Sequence, residues 1–540
     1  MTLNQKLARQ LILTISETNG ISIRDTLELL KSEDNQAIDP QVKKEVTEFH
    51  TLLGKFSLNQ CRLPELLSHP VAHALFEIFR RFPLKYKEDH IHLTGSLTAE
   101  FIYPRLKKLI EGPHKEIYQK KITEVYGPTA WPINSVQDVD KLIRLKDGEG
   151  FNTYLRILYL PKLILVDRQA HEESAYHLAK ELYTKYNVGH IRLKFMLSRS
   201  SSSSAEQVPG ADNVSAEDVV LGLYAGFAKF KVEYPDFSFV LSPSFRKEPG
   251  FFDSAKYPTR KDHFEAQVDE IVRLLDNYPF LSSHLVDVDT VGSENDHYRK
   301  GHFNEFQKGF RKLQYRGFSI RSHHGETFNT LRKGIQAVDN AMNIWHIDTL
   351  EHGLALGINP NFYFHRVYQK VMLKNKKAQA ITAADPEYLE LMDLDWGSYR
   401  PVLEQILRGE VLSEKDQVLF IKAKFHTARE VEHYQHDVLN RMIQKGVNLV
   451  TLPSSNNKLT GKIEDYKDHP FSWWEKKGVN LALGTDNYVT LNTSYVQEML
   501  ILLCTDAEDL KITKLLMVTT GENRRPYISH WLWKMRKVEF

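Results

Sequence analysis

Residues 318–327 read FSIRSHHGET, a short run of strand-forming residues that stops abruptly in two histidines, a glycine and a glutamate. The first half has the composition of a strand, and the second half has side chains that bind metals or move protons. A parallel barrel brings the carboxyl ends of all its strands to one site, so a strand that ends in such residues suits that fold.

Working outward, further strand-like runs occur as IHL near 91, HIRLKFML at 190–197, FSFVLS at 237–242 and SHLVDVD at 283–289. Beyond the opening stretch come IWHI at 344–347, VNLVTL at 447–452 and VNLALG at 479–484. With 318–323 these make eight, and amphipathic stretches lie between them. That alternation predicts an α/β fold, a (β/α)8 barrel of TIM type.

The remainder falls around this unit. Residues 1–85 read as an N-terminal helical extension, with apolar residues three and four apart in LNQKLARQLILTIS, IRDTLELLKS and the stretch from Val42 to Lys55. The barrel is expected over 86–510, with a helical insertion at about 360–440 and a C-terminal helical tail at 511–540. The extension and the insertion have three open uses: covering the barrel, making a homo-oligomer interface, or closing over a ligand. The Ser-rich stretch 198–216 reads as a mobile loop after the second strand.

A net charge of +2 over 540 residues gives no global field for nucleic acid or a membrane surface. Two cysteines, Cys61 and Cys504, are too few for a disulfide framework or a cysteine metal site, which fits a reducing compartment. The N-terminus lacks the apolar stretch of a signal peptide, and the apolar run Ile157 to Val166 is broken by Pro161 and Lys162. A cytoplasmic protein that does not span a membrane is the resulting expectation.

His90 and His92 are two apart on a strand, so both imidazoles face the same way. Chance alone supplies one His-x-His in a chain this rich in histidine. The motif gains meaning because ligand-type residues also end other strands: His323 to Glu326, then Glu351-His352-Gly353, then Gly484-Thr485-Asp486-Asn487. Three imidazoles and a carboxylate suit zinc or a similar divalent ion with water completing the shell.

In this order, the segments DHIHL (89–93), DTVGSE (289–294), HHGET (323–327), EHG (351–353), PSSN (453–456) and GTD (484–486) resemble the adenosine and AMP deaminase branch of the metal-dependent amidohydrolases, notably its longer adenosine deaminase-like members. The resemblance spans about 85–500. It implies that His90, His92, His323 and Asp486 hold one zinc ion and that Glu326 lends a proton to the purine ring nitrogen N1. It further implies that His352 orients and deprotonates the water, accepted by Asp486, and that the Gly292 N–H meets purine N3. The implied reaction is hydrolytic deamination of an adenine nucleoside or nucleotide to the inosine form. The chemistry asks for such a set, since aromatic C6 resists water until a metal lowers its pKa and an acid relieves charge on the ring. Glu326 qualifies as that acid only if burial raises its pKa.

Two positions depart from the family pattern. Thr94 stands where adenosine deaminases carry an Asp that binds the ribose 5′-hydroxyl, and a threonine would not repel a 5′-phosphate. Arg199, Arg246, Lys247, Arg260 and Lys261 lie on expected loops as candidate phosphate cations, so an AMP- or ATP-type nucleotide is a specific alternative substrate. Asn487 stands where a second Asp meets purine N7, and an amide can donate there directly.

Other readings stand beside this one. The same scaffold hydrolyses other amines, amides and esters, and a barrel without turnover could serve as a nucleotide-binding module in a larger assembly. His426, Glu430, His433 and His436 share a helix face but lack companion motifs for a di-metal site, while His171 to His177 reads as a solvated helix start. Trp473 and Trp474 read as core packing.

Overall fold

The computed structural model describes residues 1–32, 38–197 and 214–540. Most of the Ser-rich stretch, with Arg199, lies outside them. Eight parallel strands form a barrel in sequence order: β1 Tyr86–His92, β2 Val188–Met196, β3 Ser238–Arg246, β4 Asp287–Val291, β5 Ser319–His324, β6 Thr349–His352, β7 Asn448–Thr451 and β8 Leu481–Leu483. This is the expected (β/α)8 architecture.

The ring closes just beyond β8. Asp486 pairs with Ile91 as a parallel bridge, donating its N–H to the His90 carbonyl (3.0 Å) and accepting from the His92 N–H (2.8 Å). Beneath this seam the buried Glu88 carboxylate accepts from the Thr485 N–H (3.1 Å), the Thr485 hydroxyl (2.7 Å), Tyr488 (3.0 Å) and the His90 N–H (3.2 Å). Burial pushes its pKa up to about 8, against the pull of these donors.

Strand β2 shows how the period of two builds the interior. Ile191, Leu193 and Phe195 are buried among apolar side chains, while the intervening Arg192 and Lys194 reach acidic residues of other strands.

The strand expected at 344–347 is not one. Residues Ala341–Trp345 form a single π-helical turn, and the strand follows at Thr349–His352. Trp345 is fully buried and donates its indole N–H to the Phe303 carbonyl at 2.7 Å, so its aromatic bulk serves helix packing instead of a pleat.

Helices Leu3–Glu17, Ile23–Lys31, Pro40–Ser57, Leu63–Leu67 and Pro70–Arg80 precede the barrel, the first started by a capping box on Thr2. Between β1 and β2 runs a helical segment that the sequence pattern did not reveal, Ala99–Ile110 through Tyr159–Leu163. Between β6 and β7 come Pro360–Asn375, Tyr388–Asp393, Arg400–Arg408 and the long Glu414–Gln444. The C-terminal helix Ile512–Thr520 packs against β1 and β8 and meets the N-terminal helices through the Ser22–Lys511 bridge. One apolar core runs from Leu7 to Met535. No helix among the described residues is long and apolar enough to cross a membrane.

Candidate active site

The strand ends bring together the residues the sequence singled out. His90 Nε2 lies 3.2 Å from His92 Nε2 and 3.2 Å from His323 Nε2. Asp486 Oδ1 is 3.4 Å from His92 Nε2 and 3.8 Å from His90 Nε2. A tetrahedral ion with bonds of about 2.0–2.1 Å would separate its donors by about 3.3 Å.

The remaining ring nitrogens say which atoms face inward. His90 Nδ1 meets the Glu351 carboxylate at 2.8 Å, and His323 Nδ1 meets Asp289 at 3.1 Å. A carboxylate takes the Nδ1 proton and leaves the lone pair on Nε2, the metal-binding tautomer. Two inward lone pairs 3.2 Å apart repel unless a cation stands between them. Burial also lowers the pKa of each ring, that of His92 to about 3, so the imidazoles are neutral as ligands must be. The donor set fits a zinc-like divalent ion.

Lys194 ties the two supporting carboxylates together. It is fully buried and donates to Asp289 and to Glu351 Oε1 (2.9 Å), which Arg321 also reaches at 2.5 Å. Lys194→Met is expected to leave Asp289 buried without its cation. Metal affinity should fall about 10- to 100-fold in a chelator competition, and the melting temperature should drop.

Glu326 lies beyond β5 with its side chain buried. Both oxygens of Glu294 fix its backbone, accepting from the N–H of Gly325 (2.8 Å) and of Glu326 (2.6 Å). Burial pushes the Glu326 pKa up to about 8; Lys247 opposes this, and the Glu294 and Asp289 carboxylates add to it. The following turn is braced from the 360–440 region, where Glu390 accepts from the Leu331 N–H (2.9 Å) and Asp393 from the Thr330 hydroxyl (2.8 Å).

His352 ends β6 with Nε2 3.7 Å from Glu326 Oε1 and with no hydrogen-bond partner among the described residues. Its Nδ1 meets Asn456 Oδ1 at 2.9 Å. His352 (φ +65°) and Asp486 (φ +68°) both adopt the left-handed backbone, a strain of about 1–3 kcal/mol each that surrounding bonds hold in place. Asp486 Oδ2 accepts from Ser455 (2.6 Å) and Oδ1 from Asn487 (2.5 Å).

The outer positions are held by bonds within the protein. Asn487 spends its amide N–H groups on Asp486 and on Tyr154 Oη (2.7 Å), and Gly95 lies so close to its Oδ1 that any Cβ would collide. Gly292 has φ +95° and lies against the Glu248 carboxylate, which accepts the Ser293 N–H at 3.0 Å. Of the candidate phosphate cations, Lys247 is buried and donates to the His323 carbonyl, and Arg260 is buried against the Lys247 carbonyl and Glu305. Arg246 pairs with Glu248 (2.5 Å) and Lys261 with Glu265 (3.9 Å). A cavity of about 100 Å³ beside the histidines is lined by His92, Thr94, Lys162, His171, Lys194 and apolar side chains such as Phe195.

His171 is thus a buried lining residue of the helix Arg168–Tyr186 and not solvated. On the helix Glu414–Gln444, Glu430 pairs with Arg332 (2.7 Å) and His436 stacks on Trp473, so that face gathers no metal ligands among the described residues. Trp474 is core, as expected.

No family model and no curated protein matches this chain. Solved structures do. The chain is similar to the apo N6-methyl-AMP deaminase of Arabidopsis thaliana, at 13% identity over 85% of this chain and 98% of that one, TM-score 0.46. It is similar to an ADAL–IMP complex at 13% identity over 85% and 98%, TM-score 0.49, and to arabidopsis ADAL with GMP at 13% over 84% and 96%, TM-score 0.45. At these identities and scores the likeness carries no weight for the reaction of this chain, which rests on its own residues.

Proposed function

We propose that this protein is a zinc-dependent deaminase that hydrolyses the 6-amino group of an adenine nucleoside or nucleotide. The observation that carries the reading is a buried Glu326, whose pKa burial raises, close to His352 and to a set of donors spaced for a zinc-like ion, His90, His92, His323 and Asp486. A bound zinc ion would bring the pKa of water down to about 7 and so supply the nucleophile at neutral pH. His352, with Nε2 free of hydrogen-bond partners among the described residues, takes the water's proton. Glu326 delivers its proton to N1 as the C6–O bond forms; the proton held by His352 then passes to the amino nitrogen, the C6–N bond breaks and ammonia leaves, and the C6 hydroxyl proton goes back to the Glu326 carboxylate as the carbonyl forms.

Thr94 and Lys162 both line the cavity and neither would repel a 5′-phosphate, so a nucleotide is admitted there as well as a nucleoside. The test is turnover of adenosine, AMP and ATP by metal-loaded protein, followed by the ultraviolet change from adenine to hypoxanthine. Loss of the amino group from none of them would reject the reading; preference for adenosine would reject the nucleotide form.

Glu326 must hold its proton to act. With a pKa raised to about 8 it is protonated at pH 7 and ionises above. The rate kcat/KM is therefore expected to rise up to about pH 7 as the water ionises, to peak between about pH 7 and 8, and to fall about tenfold per pH unit beyond. A rate that rises through that range would assign the group the opposite role.

A further inference from the structure

Behind His352, on the side away from Glu326, a second imidazole takes no part in the reaction as described. His469 lies on the loop between β7 and β8 and packs edge-on to the buried Trp474, with ring centroids 5.8 Å apart. Two groups converge on its Nε2: the Asn456 amide nitrogen at 3.1 Å and the Thr451 hydroxyl at 3.2 Å. An amide nitrogen only donates, so Nε2 is an acceptor and the ring proton sits on Nδ1. That Nδ1 is buried and has no hydrogen-bond partner among the described residues. Burial above all, with the neighbouring His352 adding to it, pushes the ring's pKa down to about 3.

The consequence passes along the amide. With its nitrogen turned to His469, Asn456 presents only Oδ1 to His352 Nδ1, at 2.9 Å. An amide oxygen accepts and cannot donate, so His352 carries its proton on Nδ1 and its lone pair on Nε2. Were Asn456 reversed, its N–H would face Nδ1, and His352 Nε2 would carry a proton and lose its power to accept one. We infer that His469 is a positioning residue for deamination, fixing through Asn456 the one tautomer of His352 that can take a proton from water.

This inference rests on the proposed role of His352, and its test separates the two. His469→Leu removes the acceptor and leaves an apolar side chain against Trp474, whereas His469→Gln returns an amide oxygen near the place of Nε2. With the adenine substrate that the wild type turns over best, the leucine variant is expected to lose about 10- to 100-fold in kcat at nearly unchanged KM. Bound metal should be unchanged, and the glutamine variant should recover most of the loss. Full activity in His469→Leu, equal loss in both variants, or a change confined to KM would overturn the inference. A crystal structure of His469→Leu gives a reading that needs no turnover. The Asn456 amide is expected to leave His352 Nδ1, and an unmoved Asn456–His352 pair would overturn the inference. A wild type without deaminase activity would reject the proposed reaction and leave this structural arm to decide the placement of Asn456.

Discussion

His323→Ala is expected to give a folded protein that binds no metal and deaminates on the order of 10⁴-fold more slowly or worse, because water without the ion returns from a pKa of about 7 to about 15.7. His323 shares the closest donor spacing of the site, 3.2 Å between its Nε2 and that of His90. Its removal therefore takes away one whole edge of the coordination figure. Folding should survive, since Asp289, which loses its imidazole partner, keeps the Lys194 ammonium. Metal content after gel filtration and the rate of ultraviolet change are the two measurements. A variant that retains one equivalent of zinc and near-normal turnover would place the ion elsewhere and remove the basis of the proposed reaction.

Glu326→Gln should lower kcat by about 10²- to 10⁴-fold with little effect on KM. Glutamine has the same shape and can still donate a hydrogen bond to a ring nitrogen, so binding persists. It has no proton to surrender, so the ring nitrogen stays basic while C6 is attacked. The alkaline limb near pH 8 should vanish in the residual activity, since the group that titrates there is gone. Retention of more than about a tenth of kcat would show that some other group supplies the proton.

Much of this centre was legible in the chain because each candidate ligand lies at or just beyond a strand end, and a strand end is visible as an apolar run that stops. His90, His92, His323 and Asp486 come together as that pattern implied. The sixth strand was misplaced for a physical reason. Thr349–His352 is only four residues long and half of it is ionisable, whereas the preceding Ile344-Trp345-His346-Ile347 has strand composition but begins inside the π-helical turn Ala341–Trp345 and leaves it through a left-handed His346. Tyr154 was invisible, because nothing in a helix more than three hundred positions away announces a bond to Asn487. Glu294 and Asn456 lay within the quoted motifs, yet their work is on backbone amides and on a neighbouring ring, which spacing does not disclose. Lys194 had a signal that went unused: two basic residues alternating with apolar ones in HIRLKFML mean cations inside the barrel.

The join between the first and last strands has a mechanical meaning. His90 and His92 sit on one side of it and Asp486 on the other, bonded backbone to backbone. A captured ion would act as a rivet through that joint, so cohesion of the hoop and occupancy by the ion become one equilibrium. At a thousandfold excess over its dissociation constant the ion would contribute about 4 kcal/mol to holding the native chain together. Stripping it would spring the hoop first where its two ends meet.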